Sequence, residues 1–218
     1  MSCALCETRK ERRFCPAVHG KICPVCCGTE REVTLDCPSD CPYLQLARAR
    51  EKPRPLVDMN PEAVFSTVTV RDQLIYEREP LLVGLSYAVA KCARADRSLN
   101  DRDAISALTA LARRYQTLVG SGLRLNAATP VGAQQATVAE LEKMIAEYQE
   151  MEGKHLGYAT LRDSETLEAL VFLVRMAHAR TSGRPKARGF LDFLFRQFPA
   201  KQGEVVSAED AKGSIVIP

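Results

Sequence analysis

The sequence predicts a mainly α protein in which a small Cys-rich module precedes an all-α helical bundle. Three observations support this prediction. Eight of the nine cysteines fall within the first 41 of the 218 residues. Proline recurs through the same region and excludes a long helix there. From residue 71 onward, apolar residues instead recur at the three- and four-residue spacing of amphipathic helices.

The composition divides the chain into four parts. Residues 1–50 are the Cys-rich module, 51–62 a proline-containing linker, 63–198 the helical domain and 199–218 a loose C-terminal tail. Within the module, residues 31–35 alternate and predict a short strand, and Asp40 is expected to cap a helix with Pro42 in its first turn. The module has few large apolar residues, so we expect it to be unfolded without metal.

The helical domain is predicted to contain five helices. A β-branched stretch at residues 63–70 precedes them and predicts one short extended segment. The fourth helix is apolar on more than one face, which places it at the centre of the bundle. The residues that mark the helix starts are, in chain order, Pro80, Asn100, Pro130, Ser164 and Gly189.

The spacing of the cysteines in the module is typical of metal ligands. Cys3 with Cys6, and Cys23 with Cys26, form two Cys-x2-Cys pairs, each suited to one metal ion. A closed tetrahedral zinc site takes four sulfur or imidazole ligands, so nine candidates fill two sites and leave one spare. We therefore expect two structural Zn²⁺ ions per chain. The candidate ligands are Cys3, Cys6, Cys15, His19, Cys23, Cys26, Cys27, Cys37 and Cys41.

The ligands can be shared between the two sites in two ways. In a cross-braced arrangement, the first site takes Cys3, Cys6, Cys23 and Cys26. The second site then takes Cys15, Cys37, Cys41 and either His19 or Cys27. In a sequential arrangement, the first site takes Cys3, Cys6, Cys15 and His19. The cross-brace is favoured because the two Cys-x2-Cys pairs have the best shape for one tetrahedron. An Fe–S cluster is an alternative, since four thiolates also suit iron.

Part of the module resembles known Cys-rich motifs. The residues concerned are Cys15-Pro16, the segment 22–29, Arg31-Glu32 and the segment 37–44. They look like a Cys-rich N-terminal motif of uncharacterised bacterial proteins, and the broader spacing is similar to cross-braced binuclear zinc modules such as MYND, B-box and HIT-type fingers. The resemblance covers about 45 residues, and the later histidine ligands and Tyr-Cys-Ser segment of those fingers are missing. Because those fingers mainly bind proteins, the resemblance implies a protein partner.

The rest of the chain indicates a binding protein rather than an enzyme. It contains no nucleotide-binding glycine loop, no Gly-x-Ser-x-Gly and no His-Glu-x-x-His. No apolar run is long enough to span a bilayer, and the first residues do not have the pattern of a signal peptide. We expect a cytoplasmic adaptor with a protein partner, no membrane contact and no small-molecule substrate. A thiol redox sensor and a zinc enzyme are alternatives that use the same cysteines.

Two basic clusters suggest a nucleic-acid-handling assembly, or direct RNA or DNA binding as an alternative. One cluster covers residues 9–13, and the other covers residues 180–188, within a stretch that holds no acid between Glu168 and Asp192. If both lie on one face, their side chains can contact phosphates. Otherwise the second cluster is a solvated loop whose cations suit a helix C-terminus. The candidate residues are Arg9, Lys10, Arg12, Arg13, Arg180, Arg184, Lys186 and Arg188.

Overall fold

The computed structural model describes residues 1–51, 55–123 and 132–199, and these residues form a mainly α protein, as predicted. Eight α-helices and one two-stranded antiparallel sheet occur within those ranges. Residues 52–54 of the predicted linker, residues 124–131 with the predicted helix start at Pro130, and residues 200–218 of the predicted tail lie outside them.

The Cys-rich module contains both strands and two short helices. Its elements are β1 (Arg13–Cys15), β2 (Gly20–Ile22), α1 (Pro24–Glu30) and α2 (Pro42–Arg50). Both helices begin with proline, whose missing N–H is tolerated in the first turn. The apolar cluster of the module consists of buried cysteines together with Ile22 and Leu35. A core of this size is too small to hold the module together by apolar burial alone.

Two local predictions for the module are wrong. Residues 31–35 form a turn rather than a strand, because the N–H groups of Val33, Thr34 and Leu35 all donate to the Glu30 carbonyl at the end of α1. The predicted helix at 42–50 is present, but its N-cap residue is Cys41 rather than Asp40. Both segments lie between cysteines of the module. Tertiary contacts there determine the backbone conformation more strongly than local propensity does.

The bundle consists of the remaining helices. They are α3 (Leu74–Glu77), α4 (Glu79–Ala95), α5 (Asp101–Ser121), α6 (Ala133–Leu156), α7 (Asp163–Arg180) and α8 (Gly189–Gln197). The helices α4 to α8 are the five that the sequence predicts. Helix α5 begins at a capping box, in which the Asn100 side chain accepts from the Asp103 N–H and the Asp103 carboxylate accepts from the Asn100 N–H. It ends at Gly122, which has a left-handed φ of 70°.

Helix α7 lies at the centre of the bundle, as its apolar character predicts. It packs along α5, while α6 packs against α4 and α5. The predicted cap of α7 is wrong, because the helix begins at Asp163 and Ser164 lies inside its first turn. Its N-terminus is held instead by Glu165, whose carboxylate accepts from the Arg162 N–H at 3.0 Å.

The segment at residues 63–70 is not extended, contrary to the prediction. It consists mostly of consecutive turns, and Phe65 enters the core with a left-handed φ of 50°. The guanidinium of Arg175 on α7 donates to the carbonyls of Val64, Phe65 and Val68 at 2.9, 2.8 and 2.7 Å. A long-range contact to α7 therefore satisfies the carbonyls that a strand would pair with a neighbour.

Candidate metal centre

Four cysteines of the module form a group that could hold one metal ion. The sulfur atoms of Cys3, Cys6, Cys23 and Cys26 all lie within 4.8 Å of one another. In a tetrahedral zinc site the sulfurs are about 3.8 Å apart, since each Zn–S bond is about 2.3 Å long. The structure thus brings together the two Cys-x2-Cys pairs, which is the grouping of the cross-braced arrangement.

Local turns place these four thiols. Cys3 and Cys6 lie on a tight turn that closes where the Glu7 N–H donates to the Cys3 carbonyl at 2.8 Å. Cys23 is the N-cap of α1, and its sulfur accepts from the Cys26 N–H at 3.4 Å. The Cys23 N–H in turn donates to the Cys3 sulfur at 3.1 Å. Such N–H···S hydrogen bonds favour thiolates and hold them in position for a metal ion.

The thiols of this group do not lose their protons equally. Hydrogen bonds from the Thr8 side chain and from the Arg9 backbone lower the pKa of Cys6 to about 5. Its hydrogen bond with Cys23, followed by burial, raises the pKa of Cys26 to about 12. Four neighbouring thiolates repel one another, so full deprotonation needs a cation among them. Metal binding at this group is therefore expected to release protons.

The other four cysteines of the module share a second space, which six further residues also line. Cys15, Cys27, Cys37 and Cys41 line a cavity of about 10 Å³. Three of these side chains are buried and Cys37 is half-buried. Among the described residues, the first group alone has its sulfurs within 4.8 Å of one another, so this second group is more open.

The remaining candidate ligand, His19, belongs to neither group. It lies in the turn between β1 and β2, with a left-handed φ of 49° and an exposed side chain. It does not line the second cavity, whereas Cys27 does. All nine cysteines of the chain are free thiols, and Cys92 is half-buried on α4, outside the module.

Comparison of the chain with protein-family models, with curated proteins and with solved structures found no match. Function is therefore inferred from the chemistry of the residues themselves. In the part of the chain that the structure describes, no helix has both the length and the apolar character needed to cross a bilayer.

The second basic cluster lies against the Cys-rich module. The Arg184 guanidinium donates to the carbonyls of Gly28 and Arg31 at 3.0 and 2.6 Å. The Lys186 ammonium donates to the Thr34 carbonyl at 2.9 Å. Both side chains therefore make hydrogen bonds within the protein, to the end of α1 and the turn that follows it.

Other members of the two clusters contact different parts of the protein. Arg180 stacks on the Phe193 ring at 3.6 Å, and Arg188 donates to the Arg97 carbonyl. In the first cluster, Arg13 lies over the Tyr43 ring at 4.6 Å. Arg9 lies beside the Cys23 thiol, which raises the pKa of that guanidinium. The side chains of Lys10 and Arg12 are exposed.

The residues that attach the module to the bundle were not among those predicted from the sequence. Glu32 is only 3% exposed, and its carboxylate accepts from Arg48 at 2.7 Å and from Ser182 at 3.0 Å. Arg48 also pairs with Asp192 on α8, whose other oxygen accepts from Ser39 at 2.6 Å. No local pattern distinguishes these residues, because three of their four contacts join positions more than 140 apart in the sequence.

One wide cleft has no cysteine in its lining. It is a cleft of about 1040 Å³ between α2 and the adjoining ends of α7 and α8. Arg48, Arg180 and Asp192 are among its lining residues, and no cysteine lines it. None of the thiols in the two groups therefore lines this cleft.

Proposed function

We propose that the protein is a non-enzymatic, zinc-binding interaction protein of the cytoplasm. Its Cys-rich module holds two structural zinc ions and docks a protein partner. The observation that carries this proposal is the compact group of Cys3, Cys6, Cys23 and Cys26, which offers a complete tetrahedral shell of thiolates. Four sulfurs this close suit a single ion, whereas the thiolates of an Fe–S cluster spread around several irons.

The chemistry of the first group favours structural over catalytic zinc. A catalytic zinc ion keeps one coordination position open for water or substrate. Four cysteine ligands leave no such position, and three of the four are buried. The nine free thiols are consistent with a reducing compartment, which supports the cytoplasmic location.

Exposed apolar side chains on the module support a protein partner. Phe14 on β1 is 58% exposed, and Val25 on α1 is 50% exposed. Such side chains on a small, metal-held module are suitable anchors for a protein interface. The contacts of Arg184 and Lys186 with the module favour this role over direct nucleic-acid binding, so any link to nucleic acid would come through an assembly.

The metal part of the proposal is tested on the full chain, purified without added metal. We expect zinc in elemental analysis and a four-sulfur shell in zinc K-edge spectroscopy. A light-atom ligand from water would indicate an open, catalytic site and contradict a structural role. Bound iron with sulfide would replace the zinc proposal by an Fe–S cluster.

The partner is tested by affinity capture with the tagged full chain, followed by binding measurements on the purified partner. We expect Phe14→Asp with Val25→Asp to abolish binding. Tyr76→Asp, at a site 85% exposed on the bundle, is the matched control and should bind normally. Binding should change little between about 50 and 200 mM salt, whereas a steep loss with RNA or DNA as the ligand would favour direct nucleic-acid binding.

A further inference from the structure

The cavity among Cys15, Cys27, Cys37 and Cys41 has the size of a single-ion site. Its volume of about 10 Å³ is close to that of one water-sized sphere. Each cysteine comes from a different part of the module: the end of β1, the middle of α1, the loop before α2 and the N-cap of α2. The four thiols that line this space form a complete set of soft ligands. The rest of the lining consists of Phe14, Ile22, Arg31, Leu35, Tyr43 and Leu44.

The dipeptide Cys26-Cys27 supplies one ligand to each group. Consecutive residues on an α-helix point about 100° apart, since there are about 3.6 residues per turn. Cys26 belongs to the compact first group, and Cys27 lines the cavity of the second. Both side chains are 8% exposed, so neither thiol is a surface group. Helix α1 thus connects the two groups, as a cross-braced pair of sites requires.

The choice between Cys27 and His19 follows from the same geometry. The His19 side chain is exposed in the β1–β2 turn and does not line the cavity. Cys27 already borders the cavity and accepts a hydrogen bond from the Arg31 guanidinium at 3.8 Å. That cation offsets part of the negative charge that four thiolates leave around a divalent ion.

We infer that Cys15, Cys27, Cys37 and Cys41 form a second closed zinc site, with Cys27 and not His19 as the fourth ligand. The inference rests on the proposed function and identifies the ligands of its second zinc ion. The sulfurs of this group are farther apart than those of the first. Zinc binding therefore draws them inward, to separations of about 3.8 Å.

The test compares the full chain with two single variants, Cys27→Ser and the matched control His19→Ser. All three are expressed in zinc-supplemented medium, and the zinc content per chain is measured. We expect two zinc ions in the wild type and in His19→Ser, and one in Cys27→Ser. Zinc K-edge spectroscopy of the wild type should show sulfur ligands only, because an imidazole ligand would add nitrogen to the shell.

The outcomes separate this inference from the proposed function. One zinc ion in the wild type, or a nitrogen ligand in its shell, would overturn the second site as assigned while the first site stands. Loss of one zinc ion in His19→Ser but not in Cys27→Ser would overturn it as well. A wild-type chain with no zinc contradicts the proposed function itself. If Cys27→Ser does not fold, the zinc content and sulfur shell of the wild type still decide the matter.

Discussion

At the level of single residues, Glu32 is where the Cys-rich module meets the bundle. It follows α1 with a left-handed φ of 54°, a conformation that costs free energy in any residue except glycine. The conformation persists because Glu32 is held from several sides: its carboxylate accepts from Arg48 and Ser182, and its carbonyl accepts from the Lys186 N–H at 2.8 Å. A buried carboxylate of this kind depends on its cationic partner.

We predict that Arg48→Ala destabilises the protein by about 3–5 kcal/mol, because it leaves Glu32 and Asp192 buried without their shared cation. The free energy of unfolding is measured by urea denaturation in the presence of zinc. Arg50→Ala, two positions along α2 and exposed, is the control and should change stability by less than about 0.5 kcal/mol. Equal stability of the two variants would show that the ion pairs do not hold the module in place.

A second group of charged residues holds α7 to the start of α4. Arg78 donates to Glu152 at 2.7 Å and to Glu165 at 2.9 Å. Burial opposes ionisation of Glu165, but the Arg162 N–H and the guanidiniums of Arg162 and Arg78 outweigh it and lower the pKa of Glu165 to about 2. Ionised Glu165 therefore stabilises the folded state.

The depressed pKa of Glu165 predicts a pH-dependent contribution to stability. This contribution is fully present above the pKa of the unfolded state, about 4.5. It is smaller by about 1 kcal/mol at pH 4, and it is lost as the pH falls through the folded-state pKa of about 2. We expect Glu165→Gln to cost about 3 kcal/mol at pH 7. The difference from wild type should narrow below about pH 5. A constant difference from pH 7 to pH 4 would mean that the pKa of Glu165 is not depressed.

At the level of elements, contacts at the first residues of α8 fix the position of this helix against α5 and α7. The N–H groups of Phe190 and Leu191 donate to the buried carboxylate of Asp101 at 3.2 and 3.1 Å. On the other side, a Cβ at Gly189 would lie 2.5 Å from the Arg180 carbonyl oxygen, at the end of α7. Only glycine lets the two helices approach this closely.

We predict that Gly189→Ala destabilises the protein by about 1–3 kcal/mol, because α8 must shift away from α7 against its bonds to Asp101. Gly153→Ala in α6 is the matched control. A Cβ there meets nothing within 4 Å, so alanine should stabilise that helix by up to about 1 kcal/mol. Thermal unfolding of both variants measures these changes. A Gly189→Ala variant as stable as wild type would mean that the start of α8 moves freely.

The helices also show how far local sequence signals extend. The capping box at Asn100 and the left-handed Gly122 were predictable because both ends of α5 depend on residues within one turn. The start of α7 was misplaced because Glu165, rather than Ser164, holds its N-terminus. The turns at 63–70 could not be predicted, because the hydrogen bonds from Arg175 that hold them span more than 100 positions of sequence.

At the level of the whole molecule, the module and the bundle are stabilised by different means. The bundle buries a continuous apolar core that includes Leu85, Leu108, Leu170 and Phe190. The buried side chains of the module are mostly thiols, which contribute little apolar burial and depend on bound metal. Polar contacts of Glu32 with Ser182, of Arg48 with Asp192 and of Arg184 with Gly28 join the two parts.

This difference predicts that metal removal affects the two parts unequally. When a chelator removes zinc from the full chain, backbone amides of the module should lose protection from hydrogen exchange. The amides of α4, α5 and α7 should retain most of theirs, because the apolar core of the bundle does not include the thiol groups. Hydrogen exchange with mass spectrometry measures both. Simultaneous loss throughout the bundle would show that the chain unfolds as one unit.

Local information in the chain was enough to predict the two-part architecture, the five long helices and the grouping of Cys3, Cys6, Cys23 and Cys26. Hydrophobic periodicity and Cys-x2-Cys spacing depend on residues that are only a few positions apart. The backbone of a helix or a tight turn fixes the distances between such residues, whatever the rest of the fold.

Tertiary structure decided which residues face the second thiol cavity and what the basic loop does. Cys27 and His19 are equally plausible ligands by spacing. In the structure, Cys27 on α1 lines the cavity, whereas His19 in the β1–β2 turn is exposed to solvent. Lys186 is a phosphate-binding candidate by composition, yet it donates to Thr34 across 152 positions of sequence. Such pairings depend on how the module sits on the bundle, and no short-range pattern of residues encodes that geometry.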